Sequence, residues 1–153
     1  MTLKVAQKYH KLFSEKGVDA QVVSLQNKIL WERSADLIDL EQQFFIPSEK
    51  FVFIMPEYNG SYPGILKVML DNSDIKKCWW GKKAMLTGVA DGRAGNLRGL
   101  DHFTNVLNYL RVNVHHNKIP LSKINHEIDT EGKLINAATR SAIELQIDEF
   151  IRF

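Results

Sequence analysis

The sequence predicts an α/β domain built on a parallel sheet, and three observations carry that reading. Phe51 to Met55 is an uninterrupted apolar run rich in β-formers, and Ala84 to Val89 is a second such stretch. Runs without polar alternation suit strands covered on both faces. Amphipathic stretches at helical spacing stand between and around them, and the βαβα alternation argues for parallel pairing through right-handed crossovers. A chain of 153 residues, 44% hydrophobic and 25% charged, suits one domain, 1–153, with a real core.

The same composition narrows the function classes. A formal net charge of +2 makes no case for nucleic acid or membrane as the main partner. Cys78 is the only cysteine, which forbids an intrachain disulfide or a cysteine metal cluster and fits a reducing cytoplasm. No apolar run approaches the roughly 20 residues of a membrane span. The first residues lack the apolar core of a signal peptide.

Leu3, Ala6, His10 and Phe13 recur at helical spacing, and Gly17 is a good stop. Residues 18–25, with Val22 and Val23 at the centre, read as a strand. Residues 27–34 read as a loop in which Trp31 is half-buried packing. Leu37, Leu40, Phe44 and Phe45 mark a helix that Pro47 ends. The strand 51–55 follows and stops at Pro56. After the polar turn Glu57-Tyr58-Asn59-Gly60-Ser61, Pro63 suits the first turn of a helix capped by Ser61 or Tyr62. Ile65, Leu66, Met69 and Leu70 give that helix its apolar face.

Residues 72–81 read as a polar connector with tryptophans packed beneath it. The strand 84–89 leads into the glycine-rich turn 90–95, then a helix marked by Leu97, Leu100, Thr104 and Leu107. Residues 112–119 read as one edge strand, 120–133 as loop, and 136–153 as a terminal helix with Ile143, Ile147, Phe150 and Ile151 along one stripe.

The stretch Pro56-Glu57-Tyr58-Asn59-Gly60-Ser61-x-Pro63-Gly64-x-Leu66-Lys67-x-x-x-Asp71 resembles the signature of the NADPH-dependent FMN reductase family. The resemblance is clear from about Phe51 to Leu110 and weaker towards both ends. It implies a flavodoxin-like three-layer α/β/α sandwich, with FMN at the carboxyl ends of the strands and NAD(P)H as hydride donor. It carries the isoalloxazine contacts onto Pro56, Glu57, Tyr58, Asn59 and Gly60, and onto the second turn, Val89, Ala90, Asp91 and Gly92. Glycines Gly88, Gly92 and Gly95 suit a loop closing round a ligand, and Arg93 could meet the NADPH phosphate or stay solvated. The resemblance also implies a homodimer or homotetramer through the helix from Pro63 to Asp71. Lys67 and Asp71 alone need be no more than an exposed i, i+4 pair.

One departure stands at the start. Family members open with a central strand and a loop rich in Gly, Ser, Arg and Thr that holds the FMN phosphate at a helix N-terminus. Thr2 resembles the last residue of that loop, so the first, central strand and most of the phosphate cradle are expected to be missing from this chain. An N-terminally truncated product is preferred to a natural variant, because removing a central strand leaves buried ladders unpaired.

The expected function is an NAD(P)H-dependent FMN reductase, or a quinone-reductase-like enzyme. No catalytic acid or base is expected, since stacking of the two rings supplies proximity and orientation. The competing reading is a non-catalytic flavodoxin-like remnant unable to hold FMN, acting at most as an oligomeric scaffold. A distant third is single-strand binding through Lys76, Lys77, Trp79, Trp80, Lys82 and Lys83. No metal site is expected: His115 and His116 should point to opposite faces of a strand, and His10, His102 and His126 lie on separate elements.

Overall fold

A computed structural model describes residues 1–129 and 133–153. In chain order the elements are α1 (Thr2–Glu15), α2 (Ala35–Leu40) running into a π turn (Glu41–Phe45), β1 (Lys50–Pro56), α3 (Gly64–Asn72), α4 (Ile75–Cys78), β2 (Lys83–Val89), α5 (Leu97–Tyr109), β3 (Asn113–Val114), β4 (Ile119–Leu121), a 3-10 turn (Ile124–His126) and α6 (Ala137–Arg152). The described strands pair in parallel. β1 lies along the whole of β2, from Lys50 opposite Lys83 to Pro56 opposite Val89. The other edge of β2 is shared by β3 at its start and β4 at its end.

Side chains of the two long strands alternate between two cores. Phe51, Phe53, Ala84 and Leu86 pack with α2, α3 and α5 through Leu37, Leu66, Phe103 and Leu107. Val52, Ile54, Met85 and Val89 pack with α1 and α6 through Val5, Leu12, Ile143 and Ile147. Helices therefore cover both faces, which is why these strands can be apolar throughout. Tyr9, Thr87 and Gln146 are buried together in the second core. The Tyr9 hydroxyl donates to Gln146 Oε1 at 2.8 Å and lies 2.9 Å from Thr87 Oγ1. The Gln146 amide donates to the Leu86 and Asn117 carbonyls at 3.0 and 2.8 Å. Burial pushes the Tyr9 phenol far above its ordinary pKa, so it stays a neutral donor.

Several sequence expectations change. Residues 18–25 form no ladder among the described residues. They are strand-like only in that Val18 and Ala20 lean on one core while Val23 and Leu25 lean on the other. A cavity of about 1340 Å³ lies between this segment and β1, lined by α1 residues, residues 18–26 and 50–56. A strand needs a neighbour to take its backbone bonds, and the cavity occupies that place. Trp31 is 71% exposed rather than half-buried, because Leu30 beside it fills the core. Pro63 sits at the cap position itself, one residue before α3.

The connector 72–81 contains α4. Trp79 is fully buried as expected, but Trp80 stays partly exposed, with the Arg111 guanidinium 4.1 Å from its ring centroid. The expected strand 112–119 is two short strands separated by a bend, and the expected loop 120–133 begins with the rest of β4. Positions 130–132 of that loop lie outside the described residues. At the bend the backbone alternation breaks, so the His115 and His116 rings come together, with centroids 4.6 Å apart, instead of facing opposite ways. No described helix is long and apolar enough to cross a membrane.

Candidate functional site

Two turns leave the same end of the sheet. β1 and β2 are parallel and in register, so the residues after Pro56 and after Val89 emerge side by side, and the Glu57 amide donates to the Val89 carbonyl at 3.0 Å. The first turn is a tight hairpin. Tyr58 and Ser61 exchange both backbone bonds, at 2.9 and 3.1 Å, around Asn59 and Gly60 at φ +51° and +77°. Two successive positive φ values define a type I′ turn, for which Asn-Gly is the favoured pair. The turn's own bonds use the Tyr58 and Ser61 amides, leaving those of Asn59 and Gly60 outside it. Tyr58 is 61% exposed, and the Ser61 hydroxyl lies 3.0 Å from His102 Nδ1.

The second turn is held from below. The Ala90 amide donates to Leu121, the Ile124 amide to Ala90, and the Lys123 amide to Gly92, so β4 and the 3-10 turn fix 90–92. Asp91, Gly92 and Arg93 stay exposed. Two of its glycines serve packing rather than ligand access. A Cβ on Gly88 would lie 2.2 Å from the Gly95 carbonyl oxygen, and one on Gly95 would lie 2.5 Å from Pro120 backbone. Only Gly92 of the three opens onto free space.

Sequence reasoning missed Asn96. It is 1% exposed and left-handed at φ +65°. Its side-chain amide donates to the Met55 and Pro56 carbonyls at 3.2 and 3.1 Å, and its backbone amide donates to Glu57 Oε2 at 3.2 Å. This one residue ties the second turn to the first. The only hint in sequence is an Asn directly before a helix, and that hint points to an ordinary cap.

Of the expected site residues, Thr2, Pro56 and Tyr58 share the lining of the large cavity. Glu57, Asn59 and Gly60 belong to the same turn as Tyr58, and Val89, Ala90, Asp91 and Gly92 to the neighbouring one, but none of these residues is part of that lining. Thr2 opens α1, whose first turn lacks acidic residues and a side-chain cap. Met1, Thr2 and Leu3, at the positive end of that helix, line the cavity.

A parallel sheet covered by helices, with two turns set side by side at its carboxyl end, defines an α/β domain of the flavodoxin-like class. Known structures bear out the architecture. FerB, a flavoenzyme NAD(P)H:(acceptor) oxidoreductase from Paracoccus denitrificans, superposes with a TM-score of 0.78 at 21% identity over 99% of this chain and 88% of its own. The apo form of the NADH:FMN oxidoreductase EmoB gives 0.71 at 19% identity over 98% of this chain and 80% of that one.

The model of the NADPH-dependent FMN reductase family matches residues 1–126, and the chain belongs to that family. An NAD(P)H-dependent FMN reductase of Pseudomonas aeruginosa is 28% identical over 103 residues, 65% of this chain. A 2-hydroxy-1,4-benzoquinone reductase of a Burkholderia species is 27% identical over 115 residues, 71% of this chain. The matched regions span 56% and 62% of those two relatives.

Proposed function

We propose that this chain is an NAD(P)H-dependent FMN reductase, or a quinone-reductase-like oxidoreductase, working as one domain over 1–153. The observation that carries the reading is the type I′ turn at 58–61 beside the turn at 89–92, in a chain of this family. The residues present fit the ring half of a flavin. Tyr58 offers an exposed aromatic face, and Asn59 and Gly60 offer backbone amides at an edge. The turn Val89, Ala90, Asp91 and Gly92 would meet the ring from the neighbouring strand end. Thr2 and the start of α1 would meet the phosphate. When bound, FMN supplies the electron chemistry, accepting hydride from NAD(P)H. The chain's part is to bind and orient: Asn96 holds the two turns at fixed spacing, and Glu57 is held by the Asn96 amide.

The α3 surface, where Lys67 Nζ and Asp71 pair at 2.6 Å, would join subunits into a homodimer or homotetramer, as the family resemblance implies. The single buried Cys78 fits a cytoplasmic location, with neither nucleic acid nor membrane as partner. One observation favours the competing reading, a scaffold that does not hold FMN. The edge of β1 away from β2 has no described partner and borders the cavity.

Titrating FMN against the protein and following flavin fluorescence separates the two. Saturable quenching with one FMN per chain supports the reductase. Fluorescence unchanged over the protein concentration range supports the scaffold.

A further inference from the structure

The bend between β3 and β4 gathers His115, His116 and Glu149 of α6, at the sheet edge opposite β1. One nitrogen from each ring and a Glu149 oxygen all lie within 4.8 Å of one another. His115 is 2% exposed and packs against the Phe150 and Phe153 rings, with centroids at 5.9 and 5.2 Å. Its Nδ1 is buried with no hydrogen-bond partner among the described residues. Buried polar atoms are nearly always satisfied, so a native orphan of this kind points to a missing partner. His116 is exposed, and Glu149 is half-buried.

The surroundings orient this set. The Asn117 amide donates to Glu149 Oε2 at 2.8 Å, fixing the carboxylate and leaving its second oxygen available. The Asn117 carbonyl in turn accepts from Gln146 at 2.8 Å, which pins the bend to α6. A carboxylate oriented by a neighbouring amide is the outer-shell support that metal ligands usually have.

We propose that His115, His116 and Glu149 bind a divalent first-row transition-metal ion of the zinc class, with water completing the shell. Two imidazoles and one carboxylate suit zinc, cobalt or nickel, whereas calcium and magnesium prefer all-oxygen sites. Bonds of about 2.0–2.2 Å would draw the three donor atoms to roughly 3.3 Å from one another. His116 is exposed and can turn inward to make that adjustment. The ion would clasp the β3–β4 bend to α6, and Phe150 and Phe153 would shield one side of it. The site is independent of the turns at 58–61 and 89–92.

Untagged protein titrated with Co²⁺ and with Zn²⁺, by calorimetry and visible absorption, tests this. The expected result is one ion per chain, a four-coordinate Co²⁺ spectrum, and a melting temperature that rises with Zn²⁺. His116→Ala and Glu149→Gln, which leave the buried His115 in place, should each weaken binding about tenfold or more. His126→Ala, on a separate turn, should bind like the wild type. Absence of saturable binding would overturn the site, and so would His116→Ala binding with unchanged affinity.

Discussion

Tyr58 offers an exposed ring, and Gly60 the backbone geometry that presents it. Tyr58 is mostly exposed, so replacing it should barely move stability. Tyr58→Ala should instead weaken FMN binding about tenfold, the ~1–1.5 kcal/mol expected of an aromatic stack, read by fluorescence titration. Gly60 has open space where a Cβ would go but holds φ +77°, so Gly60→Ala should cost only about 1 kcal/mol, from strain. Gly88 is the opposite case. Its φ is unremarkable, but a Cβ would strike the Gly95 carbonyl oxygen, so Gly88→Ala should destabilise by about 3 kcal/mol or more in urea unfolding. Burial first, and the nearby Glu41 carboxylate second, push the Cys78 thiol up to about 12. Native protein at mildly alkaline pH should therefore resist thiol reagents, and labelling should appear only on unfolding.

At the level of elements, β1 and β2 were legible because helices cover both their faces. Residues 84–89 are buried throughout, and Phe51 to Met55 pack into the two cores although only Met55 is fully buried, so the apolar runs kept their meaning. Residues 18–25 misled because an extended, apolar segment records its preference and not whether a neighbour exists to take its backbone bonds. Residues 112–119 misled differently. The alternation of Val112 and Val114 continues into the histidines by eye, yet the backbone bends there and brings His115 and His116 together. The first turn was readable from Asn59-Gly60, while Asn96 was not, because its work is done across 40 residues of sequence. Hydrogen exchange should rank these elements. β2, paired on both edges, should be the most protected; β1 should be weaker on its cavity side; and 18–25 should exchange near coil rates.

For the whole molecule, the Tyr9–Thr87–Gln146 set ties α1 and α6 to β2 within the second core. Tyr9→Phe removes one hydroxyl from it and should cost about 1–2 kcal/mol without altering the fold. The cavity beside β1 sets a second whole-molecule property: Thr2, Pro56 and Tyr58 share its lining. Whether the domain holds flavin therefore depends on how well α1 and β1 keep their spacing around that space. The most direct measurement is anaerobic visible absorption of the protein after loading with FMN and removing the excess, followed by addition of NADPH. The account predicts a retained flavin band that bleaches on NADPH and returns with a quinone. Loss of all flavin on removal of the excess, or a retained band indifferent to both NADPH and NADH, would contradict it.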